Sequence, residues 1–328
     1  MWFSNKQAQF DVTEALSELK TNGISVTIDE LLLYQAKSRL LDLSANQNLH
    51  SKMAGNYLAR TKGRGMEFDE VRHYQTGDDI RAIDWRVTAR TGKTHTKLFR
   101  EEIERPVLIA TDLGPSMAFG TQLLYKSVQA CHIASLVAWH AKARGDRVGG
   151  IVFSQQNHIE VKPRSRKQGV LHYLHSLTQI QNNVPTPLSE DEQQTAFANN
   201  CLRVRQLAKP GSLVYLITDG HSVSDTALRH LNHISRHCEL VVCLISDALE
   251  HALPQSNEKL EVTMSNGYEN QVYTLGDERV ANLYRQKASY NMRHKVEKLN
   301  KVGARVVSLN AGESLESQLS NGRLPWIH

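Results

Sequence analysis

The chain has 328 residues, 40% of them hydrophobic and 22% charged, with a formal net charge of +5. Domains usually hold about 100–200 residues, so one large domain with an appendage, or two domains, is expected. No stretch approaches the roughly 18 consecutive apolar residues of a membrane span, and Met1–Gln7 carries no apolar signal core.

Residues 1–26 are polar and weakly patterned. Thr27-Ile28-Asp29-Glu30 then reads as a capping box, because Glu30 can reach back to the free amide of Thr27. It predicts a helix with Leu31, Leu32, Leu40 and Leu41 among its apolar positions, followed by a polar connection over 44–56. Residues 57–103 differ in character. Apolar residues are sparse, charges of both signs alternate, and glycines at 63, 65, 77 and 92 suggest turns between short strands.

From residue 106 the pattern changes again. Val107-Leu108-Ile109-Ala110 is an uninterrupted apolar run, as a strand buried on both faces requires. A long helix is predicted over 121–144, with Leu124, Val128, Cys131, Ala134 and Ala138 along one stripe. Strands follow at 147–153, 159–161, 213–218, 239–245 and 305–309. Helices are predicted near 166–179, 190–208, 225–236 and 277–301, with Pro185 and Pro187 in a loop between the first two. Strands alternating with helices argue for a parallel sheet covered on both faces. The expected organisation is a helical and polar extension over 1–56, a charged β-rich segment over 57–103, and a doubly wound, Rossmann-like α/β domain over 104–328.

The four cysteines, Cys131, Cys201, Cys238 and Cys243, form no Cys-x-x-Cys pair. Reduced, partly buried thiols and a cytoplasmic location are expected. Acidic residues are interleaved with basic ones nearly everywhere, so no basic stripe marks a nucleic-acid site.

In open parallel sheets, ligands bind beyond the carboxyl ends of the strands, where the strand order reverses. Two predicted strands here run into a carboxylate. The first continues Asp112-Leu113-Gly114-Pro115-Ser116-Met117 and the second is Ile217-Thr218-Asp219-Gly220. If the strands are neighbours, both carboxylates and the Ser116 hydroxyl converge on one crevice. Hard oxygen ligands of this kind suit Mg²⁺, which keeps several waters. The alternative is that both aspartates merely cap loops at helix starts.

Asp112-x-Gly114-x-Ser116 followed by Thr218-Asp219-Gly220 resembles the metal-ion-dependent adhesion site of von Willebrand factor A domains. That pattern is Asp-x-Ser-x-Ser, a threonine from a second loop and an aspartate from a third. The resemblance implies a von Willebrand factor A-type domain in which Asp112, Ser116, Thr195 and Asp219 hold Mg²⁺, with Thr186 as the alternative threonine. Gly114 departs from the pattern, where the family has serine. Upstream, Gly63-Arg64-Gly65-Met66-Glu67-Phe68, Arg72-x-Tyr74, Gly77-Asp78-Asp79-Ile80-Arg81-x-Ile83-Asp84-Trp85 and Ala89-Arg90 resemble the signature of the bacterial domain-of-unknown-function 58 family. This second resemblance implies a protein-binding, assembly-type role beside a MoxR-type AAA+ ATPase or its client, and no enzymatic activity.

Other readings remain. Asp78, Asp79 and Asp84 can be the carboxylates of a metal-dependent hydrolase, or members of a salt-bridged scaffold. The same segment can dock a partner, with Trp85 as anchor and Arg81, Asp84 and Arg86 around it. A metal-free structural adaptor is the third alternative. His230, His233 and His237 share a predicted helix face at a spacing compatible with Zn²⁺ or, equally, with a solvated surface. Among nucleotide hydrolases, the phosphate-loop class is excluded, since no Gly-x-x-x-x-Gly-Lys-Ser/Thr run is present.

Overall fold

The computed structural model describes residues 12–40, 66–101, 104–183, 189–265, 270–319 and 326–327. Leu41, Gly63-Arg64-Gly65, Pro185, Thr186 and Pro187 lie outside the described residues. By its contacts the chain forms two units, one of 1–43 with 105–328 and one of 44–104.

The larger unit begins with helices α1 (Val12–Leu19) and α2 (Ile28–Leu33). The expected capping box opens α2: the Thr27 hydroxyl accepts from the Glu30 amide at 3.4 Å, and Glu30 accepts from the Thr27 amide at 3.3 Å. The helix is shorter than its apolar spacing predicts. The Leu31 carbonyl accepts instead from Ser135 Oγ at 2.7 Å and Trp139 Nε1 at 3.3 Å. The Gln35 amide therefore turns to Leu32, at 3.1 Å, and the α-helical ladder stops.

The smaller unit pairs β1 (Met66–His73) antiparallel with β2 (His95–Glu101). Between them lies a helix, α3 (Trp85–Thr91), where the sequence suggested only strands and turns. Asp84 caps it, accepting from the amides of Arg86 at 3.0 Å and Val87 at 3.1 Å, and Gly92 ends it at φ +69°. Two turns of helix with no apolar stripe left no period to detect.

In the larger unit the chain continues through β3 (Pro106–Asp112), α4 (Lys126–Ala143), β4 (Arg147–Phe153), β5 (His158–Arg164), α5 (Arg166–Gln181), α6 (Glu190–Leu207), β6 (Leu213–Thr218), α7 (Asp225–Ser235) and β7 (Glu239–Ser246). A hairpin of β8 (Leu260–Ser265) and β9 (Asn270–Leu275) precedes α8 (Glu278–Lys301), β10 (Arg305–Asn310), α9 (Leu315–Gln318) and β11 (Trp326–Ile327). Seven strands form one sheet in the order β11-β10-β7-β6-β3-β4-β5. The five inner strands are parallel, and β5 and β11 run antiparallel at the edges.

Alternate side chains feed two cores. Val107, Ile109, Tyr215 and Ile217 face α4 and α5, together with Leu31 and Tyr34 of the N-terminal segment. Leu108, Ala110, Val214 and Leu216 face α6, α7 and α8. Helices on both faces explain why the strands read as continuous apolar runs. All but three residues of α4 are buried, so the helix is a core rod whose burial extends well beyond the one apolar stripe expected. It also starts at Lys126, five residues later than the predicted 121. The Tyr125 amide donates to Gly23 and the Leu124 amide to Ala311, so those residues are committed elsewhere. Among the described residues no helix is long and apolar enough to cross a membrane.

Adjacent glycines fix the central pairing. A Cβ on Gly150, where φ is +155°, would lie 1.9 Å from the Ile109 carbonyl oxygen. One on Gly149 would lie 2.5 Å from the Val161 carbonyl oxygen, where the β4–β5 register shifts. Gly150→Ala should therefore force β4 away from β3 and cost on the order of 4 kcal/mol or more. Urea unfolding reads this as a lowered midpoint; an unchanged midpoint would show that the two strands have slack.

Candidate functional site

The connection after β3 leads to β4 on one side, and the connection after β6 leads to β7 on the other. The two strands are parallel neighbours, so their carboxyl ends mark the switch point of the sheet. Asp112 ends β3 and Asp219 follows β6, and both are buried. Thr218, the residue before Asp219, donates to Asp112 at 2.8 Å, so the two strand ends meet, while Asp112 and Asp219 line different cavities.

Their environments differ. Among the described residues, Asp112 accepts from neutral groups: the Thr218 hydroxyl at 2.8 Å and the Gly114 amide at 3.0 Å. Burial, and then the Asp219 charge, push its carboxyl up to about 7. Asp219 accepts from the His221 amide at 2.9 Å and from the ammonium of Lys126 at 2.8 Å. Burial raises its pKa, but the charges of Lys126 and then Lys295 outweigh that and hold it well below the usual carboxylate range.

Lys126 is the residue that the sequence did not announce. It opens α4, its side chain is only 2% exposed, and its ammonium contacts Asp219 and, at 2.6 Å, Glu250. Burial alone would favour loss of its proton. The two carboxylates outweigh burial and hold its pKa above the ordinary lysine value. Glu250 comes from a 3₁₀ turn, Ala248–Glu250, after β7. Its second oxygen accepts from the Asp247 amide at 3.1 Å. Asp247, wholly buried, in turn accepts from the Thr121 amide at 2.9 Å and the Thr121 hydroxyl at 2.5 Å, which fixes the approach to α4.

The other predicted ligands are not brought in. Ser116 lies half-buried in the turn Pro115–Met117, and among the described residues it hydrogen-bonds to neither aspartate. Thr195 is exposed on α6. The face of α6 turned toward Asp112 carries Gln193, Ala196 and Phe197, and helical periodicity puts Thr195 outside it. The hydroxyl that reaches Asp112 belongs to Thr218, at the end of β6. Thr186 lies outside the described residues.

This donor set does not suit a divalent cation. Asp219 is already neutralised by an ammonium at hydrogen-bond distance, and Gly114 supplies no hydroxyl. Beside Asp112 lies a small open depression, also lined by Gln155, Gln193 and Ser222. On the other side, Asp219 and Glu250 line an open cleft of about 680 Å³, walled by α8 and the turn after β7. Lys287, Lys295, His221 and His294 lie along it, with Tyr273 and Tyr284 packed edge to face at 5.3 Å.

In the smaller unit the carboxylates serve the backbone. Asp78 accepts from the Gln75 amide and from Arg72 at 2.7 Å, Asp79 caps the turn Ile80–Ala82, and Asp84 caps α3 with Lys97 at 3.7 Å. The Gln75 amide, then Arg72, lowers the Asp78 pKa; the Val87 amide chiefly lowers that of Asp84. Arg81 and Arg86 are exposed, and Trp85 is 67% exposed. Of the three spaced histidines, His230 and His233 lie on α7, but His237 lies beyond its end at Ser235, so they share no helix face.

Two measurements test these electrostatics. The folded chain holds the Asp112 proton up to about pH 7, whereas an unfolded aspartate releases it near about pH 4. Its contribution to stability is therefore full below about pH 4 and is lost as pH rises toward 7, on the order of 4 kcal/mol in all. The stability gap between Asp112→Asn and the wild type should grow by that amount with rising pH; parallel pH curves would refute the shift. Separately, Lys126→Met leaves the Asp219 carboxylate buried and unpaired and should cost roughly 3–5 kcal/mol. Adding Asp219→Asn should recover most of the loss in urea unfolding. A double variant no better than the single one would assign the cost to packing.

Comparison with known proteins gives a family. The family described as "Protein of unknown function DUF58" matches residues 70–294. Uncharacterized proteins of Mycobacterium tuberculosis (strain H37Rv) and Mycobacterium bovis are each 32% identical over 133 residues, 40% of this chain and 42% of the relative. The chain thus spans under half the length of the curated relatives it matches. Among solved structures, the conserved hypothetical protein BatB from Bacteroides thetaiotaomicron is similar at 16% identity and a TM-score of 0.38, covering 66% of this chain and 95% of that one. An aerotolerance-related membrane protein from Bacteroides fragilis gives 17% and 0.34, covering 60% and 99%. At those scores the structural likenesses carry no argument.

Proposed function

The chain belongs to the DUF58 family of proteins of unknown function, and on that footing we propose that it is a protein-binding and assembly factor of von Willebrand factor A type, not an enzyme. The supporting observation is the switch point itself. Its carboxylates are engaged by a lysine, a threonine and backbone amides, beside an open cleft walled by a basic helix. Such a site has charge and shape for holding a partner. The partner we infer, from the resemblance of the signature segment, is a MoxR-type AAA+ ATPase or a client that such an ATPase remodels. The site favours metal-free binding over a magnesium bridge, because Lys126 already supplies a positive charge at Asp219. Four cysteines, all free and buried, support action in a reducing compartment such as the cytoplasm.

The test is a tagged pull-down of the whole chain from native extract, read by mass spectrometry, with two variants in parallel. Lys287→Glu reverses an exposed charge of the cleft, and Trp85→Ala removes the exposed anchor of the smaller unit. An AAA+ ATPase recovered by the wild type and by Trp85→Ala, but depleted at least severalfold by Lys287→Glu, is expected. The opposite pattern would move docking to the smaller unit. Recovery of no ATPase and no client of one by the wild type would overturn the assembly role.

A further inference from the structure

The two carboxylates on Lys126 are not equivalent. Asp219 is 3% exposed and tied by its Oδ1 to the His221 amide, so it holds the ammonium from within. Glu250 is 39% exposed and approaches from the cleft. It sits on a single 3₁₀ turn, and its release breaks one ion pair and one bond to the Asp247 amide. Asp247 itself stays in place, held by Thr121 and by the Leu249 amide at 2.9 Å. Lys126 lies directly behind the wall that Asp219 and Glu250 present to the cleft.

We infer that Lys126 is a built-in cation of the switch-point site and Glu250 its internal placeholder, exchanged on binding for an Asp or Glu side chain of an acidic segment of a protein partner. This rests on the protein-binding reading above and names the partner's chemistry. An incoming carboxylate replaces Glu250 like for like, so the buried ammonium stays compensated throughout. A neutral ligand cannot make that exchange. A divalent cation would meet the ammonium's like charge.

The charge of the surroundings fits an acidic segment. Of the seven lysines and arginines of α8, Lys287 and Lys295 line the cleft, and Lys126 stands behind its wall. Lys287 and His294 on α8 and His221 opposite provide further sites for carboxylates, and Tyr273 and Tyr284 offer aromatic surface. Of the acidic groups lining the cleft, Asp219 and Glu250 are the two held by Lys126, and Glu190 is the third.

The experiment uses the purified full chain and a short fluorescent peptide of alternating Asp and Glu with one Phe. Its counterpart carries Asn and Gln at the acidic positions. Fluorescence anisotropy should show binding of the acidic peptide alone, weakening with salt and unchanged by EDTA. Glu250→Gln keeps an oxygen for the Asp247 amide and removes the competing charge. If Glu250 is seated about nine-tenths of the time, this variant binds roughly tenfold more tightly. Should Glu250→Gln melt early, Glu250→Asp serves instead, since its shorter chain withdraws from Lys126. Equal binding of the neutral peptide, loss of binding in EDTA, or unchanged affinity in folded Glu250 variants would each overturn the inference. Capture of an ATPase from extract without these peptide effects would refute the Lys126 exchange and spare the assembly role. The peptide effects without capture would do the reverse.

Discussion

A lysine buried at the first residue of α4 constrains everything around it. The amino end of a helix is the positive pole of its dipole, so an ammonium there is disfavoured even before burial. Removing it from water costs several kcal/mol more unless carboxylates compensate. Asp219 and Glu250 provide that compensation, and they come from the ends of different strands, β6 and β7. The loops after both strands must therefore close onto the start of α4. The bonds from Thr121 to Asp247 hold that start in place, so ion pair and loop geometry depend on each other.

The same ammonium separates two aspartates that a strand diagram makes look alike. Both follow central parallel strands and both are buried. Asp219 has a cation within hydrogen-bond reach and stays ionised. Asp112 has a hydroxyl and an amide, and the negative charge of Asp219 nearby, so its carboxyl rises to about 7. Position in the fold brings the groups together, but the partners of each group decide its charge. Ionising Asp112 adds a second negative charge beside Asp219, which the geometry of the adhesion-site pattern leaves to an added cation. Here part of that demand falls on Lys126.

The sheet was legible because its strands are buried on both faces and read as apolar runs with sharp ends at Asp112 and Thr218. The capping box at Thr27 was legible because it needs only four neighbouring residues. Lys126 was not. It falls inside a predicted helix whose apolar stripe drew attention, and a lone lysine there reads as solvated. Its partners are 93 and 124 positions away in sequence, beyond any local pattern. One local signal existed: a lysine in the first turn of a helix with no acidic residue in that turn, which runs against the dipole. Thr218 was passed over for a different reason. The adhesion-site pattern asks for a threonine on a separate loop, which led to Thr195, whereas the hydroxyl on Asp112 comes from the neighbouring strand. The hairpin over 260–275 left only half a trace: Leu260–Ser265 alternates apolar and polar residues, but Asn270–Leu275 does not, and Leu260 and Val272 are exposed.

A tethered ammonium and a bound divalent ion place positive charge at the same spot, with different consequences for control. A metal can be withheld, so occupancy follows its concentration. An ammonium cannot leave, and it cannot stand bare in a buried site, so some carboxylate must always be present. That requirement gives Glu250 its place in the unliganded chain. It also sets the energy scale of binding: a partner gains only the difference between its own carboxylate and Glu250 at Lys126, plus whatever the basic wall of α8 adds. Specificity then belongs to the surroundings more than to the ion pair, because the exchange at Lys126 is nearly balanced while the field of α8 is not.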